Sequence, residues 1–459
     1  MSEHSVAPIV PFWKVMILGI CAMAIGPNLA LSAAYQLHYS GLHSWLAFLG
    51  AAMISMLVAV AISRFARRFS VTASILSYSK LTLPRSLTAI TAATLLLGYV
   101  IGPADGVLAE TIYLTSLALP LSHGAGAGPL MQCVIAGAAA TFIGACAYRG
   151  VDLSAKIAMV LGIACIPVAI WISVAAGFSF GFDVRPEFSM KGTSGVSFSQ
   201  GIFVAMAFFI GFDGIATLAS DTSEPQRNVP RLLIWILAIA GVALSAGTLL
   251  QTPVLLAHSA GMDAGESPTK ILAAAGGIPA AAIAADVVLA MAGMASLIGW
   301  LNIAALIVAT ASKDGFLPAT LGRLHPRYGS PHRAVVFLTV LSILLPIAMI
   351  LWTHSAPIES TINLTNVMVL LWLIPYGIIC AAAARRLERG ERPGLAVALS
   401  ALGVVVIIVV AGAELLRPIN RESGVVNAIG AGVIGVASIL FYRFNPDRTR
   451  TTRRSPGPT

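Results

Sequence analysis

The sequence predicts an all-α polytopic membrane protein, and its composition and the lengths of its apolar runs carry this prediction. Of its 459 residues, 58% are apolar and 10% are charged, and the mean hydropathy is +0.88. Soluble domains carry about 25% charged residues, whereas a membrane-spanning helix needs about 20 predominantly apolar ones. Runs of sufficient length predict twelve transmembrane helices, near residues 14–36, 43–62, 87–118, 129–148, 153–178, 198–219, 231–256, 279–311, 333–352, 361–384, 395–416 and 424–443.

The segments between the spans are short, so we predict one transmembrane domain over residues 1–459 with a tail at 444–459. Lysine and arginine concentrate on the side of the membrane that holds both ends of the chain, which predicts cytoplasmic termini in the plasma or inner membrane. This topology explains the net charge of +9 and leaves no reason to expect a nucleic-acid partner. Membrane lipid is therefore an expected partner of the protein. The N-terminal residues lack the features of a removable signal peptide.

Glycine and proline interrupt two of the spans. Gly26 and Pro27 lie within span 1, and Gly211 and Gly214 flank Asp213 in span 6. Proline removes a backbone donor and glycine weakens a helix, so both spans are predicted to be broken. Interrupted helices at matching positions of two halves are typical of an inverted repeat with its binding site between them. The alternative is a kinked helix with a buried, paired aspartate, since Gly and Pro are common in membrane helices.

Acidic residues within the spans include Asp105, Glu110, Asp213 and Asp286, while no Lys or Arg lies near a span centre. A charge at the bilayer centre costs about 2.5–3.5 kcal/mol on insertion scales, so such residues line a cavity or find a partner. A proton, a sodium ion or the ammonium group of a substrate would each neutralise them. For Glu110 and Asp286 the alternative is a hydrated position near the membrane surface.

Enzyme and cofactor chemistry find no support in the sequence. The five cysteines lie in apolar spans without paired spacing, which predicts neither disulfides nor a metal site. The motifs GxxxxGK[ST], GxSxG and HExxH do not occur, so we expect no ATP-driven pump, no serine hydrolase and no zinc protease. No cofactor is expected. The remaining classes are a transporter and a ligand-binding membrane sensor.

Two segments contain distinctive motifs. The first contains Gly211-Phe212-Asp213, Ser220-Asp221 and Glu224-Pro225-Gln226-Arg227-Asn228-Val229-Pro230. It resembles the sixth helix and following loop of the amino acid–polyamine–organocation (APC) transporters. The second is Ala311-Ser312-Lys313-Asp314-Gly315-Phe316-Leu317-Pro318, like the segment after helix 8. A weaker match begins at Phe65-Ala66-Arg67-Arg68-Phe69 and ends at Tyr78.

The resemblance implies a five-plus-five inverted repeat, over about residues 12–178 and 198–384, with two extra helices at 395–443 that form scaffold or a dimer contact. Substrate would lie between broken helices 1 and 6, beside helices 3 and 8. Backbone N–H groups at the helix 1 break would favour a carboxylate, and carbonyls near Phe208 to Gly211 would take an amino group. The residues predicted to line the site are Ile25, Gly26, Pro27, Asn28, Leu29, Tyr99, Asp105, Phe208, Phe209, Gly211, Phe212, Asp213 and Trp300.

The coupling ion is predicted from the same resemblance. A helix 5 position that is lysine in many proton-linked relatives falls on Cys165, and Ser296 is the one deep hydroxyl of helix 8 that could bind sodium. Coupling would therefore rest on Asp105 or Asp213, on sodium, or on exchange. We predict a secondary transporter of amino acids or related amines, working by alternating access as a proton symporter. An exchanger and a non-transporting membrane sensor are the alternatives, and the oligomeric state stays open.

Overall fold

A computed structural model describes residues 11–69, 75–122, 127–149, 152–181, 185–189, 192–214, 224–313, 315–385, 394–419 and 421–444. These residues form helices and turns, with 12 helices long and apolar enough to cross a membrane, as the sequence predicts. Numbered along the chain, the spans are α1 (Phe12–Ala22 and Ile25–Leu31), α2 (Ser44–Ala66), α3 (Arg85–Ala118), α4 (Pro129–Arg149), α5 (Asp152–Ser179), α6 (Gly195–Met206), α7 (Pro225–Ala257), α8 (Pro279–Lys313), α9 (His332–Thr353), α10 (Pro357–Ala383), α11 (Leu395–Leu416) and α12 (Arg421–Phe444). Motif residues 215–223, which include Ser220 and Asp221, and Asp314 lie outside the described residues.

The break in α1 lies at Met23 and Ala24, so the predicted position at Gly26 and Pro27 is wrong by two to three residues. Ala24 has a φ of 47°, in the left-handed region, and the helix resumes at Ile25. Gly26 and Pro27 therefore belong to the first turn of the second half. The first N–H groups of a helix have no acceptor within it, so proline in that turn forfeits no hydrogen bond.

Side chains satisfy the carbonyls around this break. Asn28 Nδ2 donates to the Met23 carbonyl at 2.8 Å, across the interruption. From neighbouring helices, Tyr113 Oη donates to the Pro27 carbonyl at 3.2 Å and Gln251 Nε2 to the Leu29 carbonyl at 2.9 Å. The second half of α1 is thus fixed by polar contacts to α3 and α7, which hydrocarbon could not supply.

The break in α6 lies where the sequence predicts it. The helix ends at Met206, a single 3-10 turn covers Ala207–Phe209, and Ile210 is extended with φ −61° and ψ 142°. Gly211 follows with a φ of 89°, a conformation that glycine adopts without steric cost. The chain then turns into a further helical segment from Phe212.

The long helix α3 is central to the packing. It lies against α8, α10 and α12, while α2 packs on α7 and α11. In addition, α11 contacts α6, and α12 contacts α10. A polar cluster joins them, because Glu414 of α11 accepts from Gln200 of α6 at 3.2 Å and from Asn427 of α12 at 3.0 Å.

Removing the Glu414 carboxylate is expected to destabilise the protein. Glu414→Ala leaves the buried amides of Gln200 and Asn427 without that acceptor, and an unsatisfied buried donor costs about 1–3 kcal/mol. We expect the melting temperature in detergent to fall by at least about 2–4 °C. Glu414→Gln, which keeps an acceptor oxygen, should lose less. Equal melting temperatures for wild type and Glu414→Ala would show that the cluster adds no stability.

Candidate functional site

Trp300 of α8 closes one side of the α6 break. Its ring lies 3.4 Å from the position that a Cβ on Gly211 would occupy, and its Nε1 lies 2.9 Å from the equivalent position on Gly102 of α3. The two glycines therefore admit the indole between α3 and the break. The Nε1 donor is buried and has no hydrogen-bond acceptor in the described part of the chain. This places two predicted residues, Gly211 and Trp300, in direct contact.

Asp213 lies just beyond the break and is 8% exposed. Tyr376 Oη of α10 donates to its Oδ1 at 2.8 Å, and the ring of Tyr376 lies 5.5 Å from that of Phe212. Its side-chain partner is thus a neutral hydroxyl, and no cation of the described residues forms an ion pair with it. An acid so placed can accept a further hydrogen bond from a cation.

Aromatic side chains of α3 and α10 also lie around the α6 break, next to Trp300 and Phe212. The ring of Tyr99 lies 6.5 Å from Trp300 and 5.1 Å from Trp372, and Trp372 lies 6.0 Å from Tyr376. Trp372 also packs on Gly98 of α3, with its Nε1 3.0 Å from a Cβ position there. Trp372 and Tyr376 are not among the site residues predicted from the sequence. Their one signal is a spacing of four residues on α10, which is equally typical of ordinary core packing.

Asp105 has a different hydroxyl partner on α10. Thr365 Oγ1 of α10 donates to its Oδ1 at 2.7 Å, and Tyr35 lies beside both residues. The Tyr35 ring makes an edge contact with Phe208 at 5.1 Å, so this group reaches the last turn before the α6 break. Phe209 is fully buried against Phe48, with ring centroids 6.5 Å apart, which is a packing contact.

The remaining predicted residues lie along the second half of α1 and its neighbours. Gly26 contacts Cys165 of α5 so closely that a Cβ there would overlap the Cys165 sulfur and lie 3.1 Å from its carbonyl carbon. The thiol donates to the Gly162 carbonyl at 3.2 Å. Ile25 and Leu29 are buried in the apolar core, and Ser296 is partly buried in α8. Asn28 is engaged with Met23, as described above.

The alternative that Glu110 and Asp286 are hydrated is wrong. Glu110 is 4% and Asp286 1% exposed. Asp286 accepts hydrogen bonds from Ser116 at 2.9 Å and from Ser267 at 2.7 and 2.8 Å. Glu110 packs against Gly293 of α8. Within the described ranges, no three His, Cys, Asp or Glu residues converge on a point where a metal ion could bind.

Comparison with known proteins is consistent across sequence and structure. A branched-chain amino acid permease, BcaP of Bacillus subtilis (strain 168), is 24% identical over 408 residues, which span 85% of this chain and 80% of the relative. A methylthioribose transporter of the same organism is 27% identical over 311 residues, 63% of each chain. The crystal structure of MhsT in complex with L-phenylalanine superposes with a TM-score of 0.53 at 16% identity, over 91% of this chain and 98% of that one. At that identity the likeness establishes the fold alone.

The family model described as amino acid permease matches residues 11–439, nearly the whole chain. Its members and the relatives above are transporters, and the twelve apolar helices make this chain a multi-pass membrane protein. The chain therefore belongs to the amino acid permease family of the APC superfamily, a family of transporters and not of enzymes.

Proposed function

We propose that this protein is a secondary transporter that carries an amino acid or related amine by alternating access, in symport with a proton. The observation that carries the proposal is the α6 break, where the main chain at Ile210 and Gly211 leaves the regular helix close to Asp213. A helix end leaves carbonyls without intrahelical partners, and these, together with a carboxylate, are suited to an ammonium group. The family, whose relatives include amino acid permeases, supports the same substrate class.

Each group in the proposed site has a stated task. The carbonyls before Gly211 and the Asp213 carboxylate bind the amino group, and Tyr376 positions Asp213 through its 2.8 Å hydrogen bond. Tyr99, Phe212 and Trp300 shield the bound substrate from water, which strengthens these contacts. A substrate carboxylate would supply the acceptor that the Trp300 indole lacks, and Ile25 and Gly26 offer N–H groups at the start of the second half of α1.

Several broader features belong to the same proposal. Two inverted repeats, at about 12–178 and 198–384, are supported by breaks in α1 and α6, five helices apart. Cytoplasmic termini in a plasma or inner membrane are supported by the distribution of Lys and Arg. Cysteine labelling from each side of intact cells tests this orientation. Labelling of an N-terminal cysteine from outside would contradict it.

Uptake into proteoliposomes tests the transport function. The purified protein would be offered labelled branched-chain, aromatic and cationic amino acids, a polyamine and methylthioribose, each with and without an inwardly directed proton gradient. We expect at least one amino acid or amine to accumulate against its gradient, and only when the proton gradient is present. Uptake that needs a preloaded substrate and ignores pH would favour the exchanger. Saturable binding without uptake would favour the sensor.

A further inference from the structure

Glu110 differs from the other acids buried in the spans. Asp105, Asp213 and Asp286 each accept a hydrogen bond from a hydroxyl group, and Glu414 accepts from two side-chain amides. Glu110, also buried, has an Oε2 atom that is enclosed and has no hydrogen-bond partner within the described residues. It forms no ion pair there either. An ionised carboxylate left this way is strongly disfavoured, whereas the neutral carboxylic acid is tolerated.

A space beside Gly293 of α8 accommodates the Glu110 side chain. Its carboxyl group fills the space that any side chain at position 293 would need, since a Cβ on Gly293 would overlap Oε1 and lie 3.0 Å from Oε2. Gly293 thus lets α8 approach α3 directly over the acid. The contact joins two long helices at a point where water has been excluded, and it depends on the absence of a side chain from α8.

The titratable groups around Glu110 are two tyrosines, with two further acids and a thiol beyond them. Tyr113 lies one turn further along α3, and Tyr35 approaches from the segment after α1. Tyr113 in turn lies near Asp286 of α8 and Cys165 of α5, and Tyr35 lies near Asp105 and Thr365 of α10. None of these groups supplies a positive charge, so the described surroundings favour the uncharged form of Glu110.

These neighbours connect Glu110 to the broken helix. Tyr113 Oη donates to the Pro27 carbonyl in the second half of α1, so movement of that half away from α3 frees the hydroxyl. A freed tyrosine and entering water are donors that stabilise a carboxylate. Separation of the second half of α1 from α3 would therefore favour the ionised form of Glu110.

We propose that Glu110 carries the coupling proton of this transporter, holding it while α3, α8 and the second half of α1 are packed together and releasing it when they separate. In the releasing step the O–H bond of the carboxylic acid breaks, the proton passes to water and the carboxylate remains. The inference rests on the proposed function, because it assigns the proton site of the same transport cycle. It does not involve Cys165, and it leaves Asp213 to the substrate.

Glu110→Gln tests the assignment in proteoliposomes through two assays on one preparation. We expect accumulation driven by a proton gradient, and substrate-induced acidification reported by a dye in the lumen, to fall at least about tenfold. Counterflow between equal substrate pools, which needs no net proton movement, should stay within about twofold. Wild-type acidification in Glu110→Gln would overturn the proposal. Asp286→Asn is the matched control, because it removes a buried acid from the same helix pair and should retain substrate-induced acidification.

A second variant covers the case in which Glu110→Gln does not fold. Gly293→Ala keeps Glu110 but displaces its carboxyl group from the space beside position 293. The external proton concentration for half-maximal uptake should therefore shift by at least about threefold. An unchanged pH profile in Gly293→Ala would also overturn the proposal. Wild-type protein that shows net substrate uptake without substrate-induced acidification would instead refute the symport. That result separates failure of the proposed function from failure of this assignment.

Discussion

Gly26→Ala is expected to abolish transport. The added Cβ would overlap the Cys165 sulfur and lie 3.1 Å from two main-chain atoms of α5, the carbonyl carbon of Cys165 and the nitrogen of Ile166. A side chain can rotate away, but a helix backbone cannot, so the second half of α1 must move. Overpacking of this kind costs about 1–3 kcal/mol, and a misplacement of about 1 Å at a binding site can cost about a hundredfold in rate. Initial uptake rates at equal protein, with melting temperatures in detergent, measure both effects.

The same helix pair offers the controls. A Cβ on Gly162 would lie 3.5 Å from the Cys21 sulfur, an ordinary contact, so Gly162→Ala should transport normally. Adding Cys165→Ala to Gly26→Ala removes the thiol overlap but leaves the two backbone contacts, and should restore only part of the activity. Full uptake in Gly26→Ala would show that α1 and α5 are less closely packed than described.

Asp213→Asn is expected to lower uptake by about 10- to 100-fold without unfolding the protein. Hydrogen bonds to charged groups contribute about 1.5–3 kcal/mol, and this change removes the charge that the substrate amine would bind. The asparagine oxygen can still accept from Tyr376, so the local packing is retained. Uptake and substrate-induced thermal stabilisation of the purified variant measure the loss.

Two further variants separate binding from packing in this region. Tyr376→Phe keeps the charge but releases it from its hydroxyl, and should raise the KM for substrate more than it lowers the maximal rate. Asp263→Asn, at an exposed position, should behave like wild type. Wild-type rates in Asp213→Asn would remove Asp213 from the substrate site.

The sequence predicts the spans well because the bilayer imposes one length on every helix. It also locates the α6 break, because Gly211 takes a positive φ that favours glycine. The predicted position of the α1 break is wrong because Ala24, which adopts φ 47°, is not a residue type that indicates a left-handed conformation. Here tertiary contacts and the Asn28 side chain impose a conformation that local preference opposes. The prediction placed the break at Pro27, but this proline lies in the first turn of a helix, where proline is tolerated.

The side chains around Asp213 show the limit of sequence reasoning more clearly. Tyr376 lies 163 positions from Asp213 in the chain, and Glu414 lies 214 positions from Gln200. Such pairs form only when particular helices pack together. The spacing of residues along the sequence does not predict them. Likewise, Glu110 and Asp286 were equally consistent with hydration until the packing of α8 against α3 showed both to be buried. Tertiary packing, which determines what each acid touches, supplies the missing information.

The hydrogen bond from Asn28 to Met23 sets a limit on how far α1 can flex. The Asn28 side-chain amide donates to the Met23 carbonyl at 2.8 Å across the break. Within the membrane there is no bulk water that could replace this hydrogen bond. The angle between the halves can therefore vary only within the reach of a single asparagine. At the α6 joint Tyr376 contacts both Gly211 and Asp213, but glycine itself can adopt a much wider range of φ and ψ than other residues. We therefore expect the larger changes of angle at Gly211 and the smaller ones at Ala24.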